Sequence, residues 1–76
     1  MASLGAADNG VVGAVGRVTG LVAPGAEGEV KLPTRKGSET FSAYPADGEE
    51  ILAPGTRVVV VAYEAPRTIT VTRMAY

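Results

Sequence analysis

Few side chains in this 76-residue chain can do chemistry. It has no histidine and no cysteine. That excludes a histidine-based acid–base pair, a thiolate nucleophile and the usual zinc ligand sets. The serines are Ser3, Ser38 and Ser42. A Ser–Lys dyad would need Ser42 and Lys31 on neighbouring strands, yet both fall on an open outer face without an oxyanion-hole signature. Asp47, Glu49 and Glu50 gather in one short stretch, where paired carboxylates hold a hard cation only weakly. No second carboxylate is placed opposite them for general acid–base work, and a solvated turn accounts for them. Gly10, Gly13, Gly16 and Gly20 follow neither the G-x-G-x-x-G nor the Walker spacing, and curvature of a strand explains them better than a phosphate loop. The residues point to no catalytic site, no metal and no cofactor.

The elements that carry these residues are short. Ten glycines and five prolines punctuate the chain, which suits an all-β domain of short strands. Residues 13 to 23 read as a first strand that coils where Gly16 and Gly20 lack side chains. Residues 29 to 35 alternate, with Val30 and Leu32 on one face and Glu29 and Lys31 on the other. Gly37 then supplies the positive φ of a hairpin turn. The return strand sets Phe41 and Ala43 inward and Thr40, Ser42 and Tyr44 outward. Residues 47 to 55 form a connection, read with a single helical turn that carries Ile51 and Leu52 inward. Residues 57 to 63 and 67 to 73 make a last hairpin across Glu64, Ala65 and Pro66.

Five strands, with at most one short helical turn between the third and the fourth, match a five-stranded OB-fold-like Greek-key β-barrel. An SH3-like barrel is the nearest competitor, because strand count and length do not separate the two. At this size folding buries only roughly 60% of the surface that the unfolded chain exposes. Without disulfides or a zinc site, packing or a partner must hold the domain. Residues 1–12 read as a flexible leader or linker, with neither the basic nor the hydrophobic region of a secretory signal, and residues 13–76 as the barrel. The longest apolar run, Val58 to Tyr63, is far short of the roughly 20 residues that span a bilayer.

An OB-fold reads single-stranded nucleic acid through aromatic rings and a basic groove on its second and third strands. Lys31, Arg35, Lys36 and Tyr44 occupy roughly those places. Against that reading stand a net charge of −1 and four aromatic residues in all, where a nucleic-acid domain is normally basic on one face. Arg17, Arg57, Arg67 and Arg73 fall mostly at strand ends, where charge keeps a sheet edge soluble.

The order of short motifs carries more. It runs GxxGRV (13 to 18), GEVKL (28 to 32), ETFSA (39 to 43), ILAPGTRVVVV (51 to 61) and TITV (68 to 71). Together they resemble the C-terminal soluble domain of NfeD-like membrane proteins, which include small inner-membrane proteins encoded beside flotillin-type SPFH proteins. The resemblance covers residues 13 to 74. It implies an OB-fold barrel that follows transmembrane helices, lies on the cytoplasmic side of the membrane, and serves contact with a stomatin- or flotillin-type protein. It implies no catalytic positions, since the Ser–Lys protease of the longer family members resides in a separate domain. The tip around Glu64 to Arg67 departs from the shorter glycine-containing hairpin of many members.

The four valines at 58 to 61 pose the remaining question. Strict alternation would expose Val59, Val61 and Tyr63 together, an aggregation-prone edge. A β-bulge at Val60–Val61 resolves this, because two consecutive residues then share a face and the strand bends. In that frame Val58, Val60, Val61 and Tyr63 point inward, and Val59 and Ala62 point outward. Val61→Asp should then unfold the domain and Val59→Asp should not. The contact surface left over is Val59 beside Thr68, Thr70 and Thr72, together with the loop tips.

Overall fold

The computed structural model describes residues 11–34 and 37–74. Its five strands are β1 (Val15–Gly20), β2 (Gly28–Thr34), β3 (Gly37–Pro45), β4 (Arg57–Glu64) and β5 (Thr68–Arg73). They close into one barrel in the order β1-β2-β3-β5-β4, with β4 pairing back onto β1. All neighbours are antiparallel except β3 and β5, which run parallel. This is the five-stranded OB-fold barrel, and the strand order separates it from the SH3-like alternative.

Alternation places the core. Val18, Val30, Leu32, Phe41, Ala43, Val58, Val60, Ile69 and Val71 point inward from the strands, and Val22 and Leu52 join them from the connections. Those two are tied by a pair of backbone hydrogen bonds, Val22 N–H to Leu52 O at 3.0 Å and Leu52 N–H to Val22 O at 2.8 Å. The connection before β4 is thereby stitched across one end of the barrel, and no polar or charged side chain is buried with it among the described residues.

Closure demands tight turning of β1. Gly16 is buried, and a Cβ built there would lie 2.6 Å from the Lys31 carbonyl oxygen. Any side chain would push β1 off β2. Further along, the β1–β2 register slips between Val18 and Gly20, and the strand spans Val15–Gly20, shorter than the residues 13 to 23 that the sequence suggests. Gly37 turns β2 into β3 with φ of +119°, as the hairpin requires.

Two expectations change here. Residues 46 to 50 form bends and a turn, and no helical turn occurs among the described residues. Ile51 is accordingly not in the core: it is 60% exposed while Leu52 is fully buried. A helical turn would have placed neighbours 100° apart and allowed both to lean inward. The extended backbone that bridges Leu52 to Val22 instead sends consecutive side chains to opposite sides.

The second change concerns the valine run. Val60 pairs with Val71 and the next pair is Ala62 with Thr70, so the ladder does slip in the segment that the sequence indicates. Val58 and Val60 are buried, and Tyr63 packs against the core. Val61, however, is 46% exposed. The bulge places Val61 and Ala62 outward together, where the sequence frame has Val60 and Val61 inward together. The inward residues 58, 60 and 63 already face Arg73, Val71 and Ile69 in register, and these two hydrophobic partners on β5 leave no inward place for an added valine.

Candidate interaction surface

Register, more than sequence spacing, assembles the outer face. On β5 the buried Ile69 and Val71 leave Thr68, Thr70 and Thr72 pointing out. Thr72 lies opposite Val59, and Val59 lies opposite Val15 of β1. One row of small and apolar side chains thus crosses three strands. The next row holds Tyr44, Thr70 and Ala62 in the same way. The third holds Ser42, Thr68 and Glu64. Opposite side chains in such rows sit about 5 Å apart at Cβ, so the first two rows with Val61 beside them make one continuous uncharged surface. Charge begins only at its borders, with Glu64 on one side and Arg57 on the other.

The four residues expected at a contact surface, Val59, Thr68, Thr70 and Thr72, are therefore brought onto one face. Sequence reasoning missed three more on the same face. Val15 and Tyr44 reach it only because β1 and β3 flank the β4–β5 hairpin in the closed barrel. Val61 reaches it through the bulge. All three are substantially exposed, Tyr44 at 39%.

The hairpin tip is fastened by specific contacts. The Tyr63 hydroxyl donates to the Pro66 carbonyl oxygen at 2.8 Å. Arg67 stacks its guanidinium 5.2 Å above the Phe41 ring and reaches Glu39 at 3.1 Å. Phe41 itself is buried, as alternation indicates, and so cannot serve as a stacking platform for a base.

The nucleic-acid residues do not converge. Lys31 lies opposite Thr40 on β3, four residues along the strand from Tyr44, and Arg35 and Lys36 fall outside the described residues. Lys31 and Ser42 do not pair either, since Ser42 lies opposite Glu29 and Thr68. Asp47 spends its side chain on a turn, accepting from the Glu49 N–H at 3.1 Å. Glu50 approaches Arg73 at 3.6 Å. Among the described residues no group of three or more carboxylates, histidines or cysteines is arranged to hold a metal ion. Arg57 and Arg73 stand at the ends of β4 and β5 and Arg67 just before β5, as the sequence indicates, whereas Arg17 sits within β1, paired on both sides.

Comparison with known proteins gives a consistent picture. The model of the NfeD C-terminal domain matches residues 15–72. No curated protein matches the chain. A crystal structure of the soluble domain of a membrane protein implicated in regulation of membrane protease activity, from Corynebacterium glutamicum, is 26% identical. It superposes with a TM-score of 0.75 over 90% of this chain and 98% of that one. The C-terminal domain of the stomatin operon partner protein 1510-C from Pyrococcus horikoshii is 25% identical, with a TM-score of 0.71 over 91% of this chain and 95% of that one. Among the described residues no helix is long and apolar enough to cross a membrane.

Proposed function

The chain belongs to the NfeD C-terminal domain family, and from that membership we propose that it is a non-catalytic protein-interaction module of a membrane-associated assembly, with a stomatin- or flotillin-type SPFH protein as its partner. The observation that carries this reading is the uncharged outer face of β4 and β5, extended by Val15 and Tyr44. Interface cores are depleted of charge and enriched in aromatic residues, and this face carries no charge along two rows and presents Tyr44. The relatives' descriptions, a stomatin operon partner and a protein implicated in regulating membrane protease activity, support a role in assembly at the membrane. On the face that would act, Val59, Thr68, Thr70 and Thr72 with Tyr44, no base stands among these residues to activate a hydroxyl. The domain works at the cytoplasmic surface of the membrane in this reading.

Co-expression with an SPFH-domain protein from the same genome tests it. Affinity capture of the wild-type chain should retain that protein, and Thr70→Lys, which places a charge at the centre of the face without touching the core, should abolish retention. Capture that is absent, or that survives Thr70→Lys and Tyr44→Ala alike, would show that this face is not the contact.

A further inference from the structure

Arg17 is flanked by cations on both sides. It lies opposite Arg57 across the β1–β4 ladder and opposite Lys31 across the β1–β2 ladder, so three positive residues form one row over three strands. All three are exposed on the outer face. Opposite residues hold their Cβ atoms about 4.5–5.5 Å apart, inside the screening length of about 8 Å at physiological salt. Like charges so placed oppose folding.

Glu29 shares their outer face two positions from Lys31, where its carboxylate accepts from the Thr19 hydroxyl at 3.3 Å, and it does not pair with the row. The side chains of the row make no ion pair or hydrogen bond with any described residue. The same chain supplies carboxylates elsewhere: Glu39 for Arg67 and Glu50 for Arg73. The residue that continues the row on β3 is Thr40.

The row also edges a cleft. The β1–β2 ladder stops at the Arg17–Lys31 pair, although β1 begins at Val15 and β2 runs on to Thr34. Pro33 brings no N–H with which to continue it. Where the strands part, an open cleft of about 430 Å³ has Val15, Leu32 and Pro33 among its walls, with Arg17, Lys31, Arg57 and Ser38 supplying the polar groups. The cleft is shallow and open, and it presents these polar groups to solvent from one side. Two guanidinium forks and an ammonium offer donors alone, and that chemistry selects a multiply charged oxyanion, phosphate above all.

We propose that the Arg57–Arg17–Lys31 row is a binding site for a phosphoryl group, supplied by an anionic lipid head group or by a small soluble phosphate compound. The site lies beside the uncharged face and does not depend on its having a protein partner. A nucleic-acid backbone is disfavoured, because Tyr44, the most exposed ring among the described residues, stands two rows away on the other side of Val59 and Thr72.

Titration of the isotope-labelled chain with inorganic pyrophosphate, and separately with vesicles of phosphatidylcholine with and without phosphatidylglycerol, tests the site. Amide shifts should be confined to residues 15 to 17, 31, 32 and 57, and binding should weaken about ten-fold or more in the R17Q/R57Q variant. Saturation by pyrophosphate alone identifies a soluble ligand, and retention on phosphatidylglycerol vesicles identifies a head group; either supports the site. At constant ionic strength pyrophosphate should raise the Tm of the wild type and not of R17Q/R57Q, which in chloride should be at least as stable as the wild type because its row no longer repels. Absence of saturable binding in both arms, or binding unchanged in R17Q/R57Q, overturns the proposal. So does tighter binding of a single-stranded oligonucleotide with shifts reaching Tyr44.

Discussion

Val60 faces Val71 across the β4–β5 ladder, and the next pair along is Ala62 with Thr70. Val61 between them has no opposite residue and turns outward. The bulge therefore sets which of two adjacent valines is core and which is surface. Val60→Asp places an uncompensated carboxylate in the barrel interior and should leave the domain unfolded, since burial of an unpaired charge costs several kcal/mol at least. Val61→Asp should change stability by less than about 0.5 kcal/mol. Urea denaturation of the two variants reads the difference, and comparable losses would place Val61 in the core after all.

Gly16 and Gly48 should respond oppositely to alanine. At Gly16 a methyl group meets the Lys31 carbonyl oxygen at 2.6 Å, and backbone cannot swing aside as a side chain tip can. Overpacking of this kind costs about 1–3 kcal/mol, occasionally more. At Gly48 nothing lies within 4 Å of the added methyl, so Gly48→Ala should be neutral or slightly stabilising through the unfolded chain. Thermal unfolding of both variants is the check.

Arg67 has two partners, and they differ in worth. Its pairing with Glu39 joins side chains that are 54% and 34% exposed, and exposed pairs contribute little. Its stacking on Phe41 covers the one aromatic ring of the core. Arg67→Ala should cost about 0.5–1 kcal/mol, while Glu39→Gln should cost less than that. If the Arg67→Ala loss disappears in 1 M salt, the ion pair and not the stacking carries it.

Removing the Tyr63 hydroxyl isolates the hairpin tip. Tyr63→Phe deletes the 2.8 Å bond to the Pro66 carbonyl and leaves the ring against the core. The expected loss is at the low end of about 0.5–1.5 kcal/mol, because water replaces the donor at an exposed acceptor. Hydrogen exchange of the amides of residues 64, 65, 67 and 68 should accelerate more than that of β1 or β2, and uniform acceleration across the barrel would mean that the bond supports the whole fold.

Much of this architecture is legible in the residues themselves. The alternation of Val30 with Leu32, Phe41 with Ala43 and Ile69 with Val71 assigns inward and outward faces strand by strand, because successive side chains on a strand must point to opposite sides. Glycine at 16 and 37, proline near turns and the order of five short motifs carry the barrel and its family. Ile51 escapes this logic, since the bridge that turns it outward is made to Val22, some thirty positions away in the chain.

The sequence by itself determined the strands, the alternating part of the core they share, and the threonine face of β5. The tertiary structure decided everything that depends on which strand lies beside which. Alternation has a period but no register, so it cannot say whether Val61 or Ala62 opposes Thr70, nor that Val15 and Tyr44 border Val59 and Thr70. Nor can it say that Arg17, Lys31 and Arg57, fourteen and twenty-six positions apart in the sequence from one another, fall side by side on the closed barrel. Closure brings β1 against β4 and β2 at once, and long-range pairing is the physical step by which isolated side chains become a surface or a site.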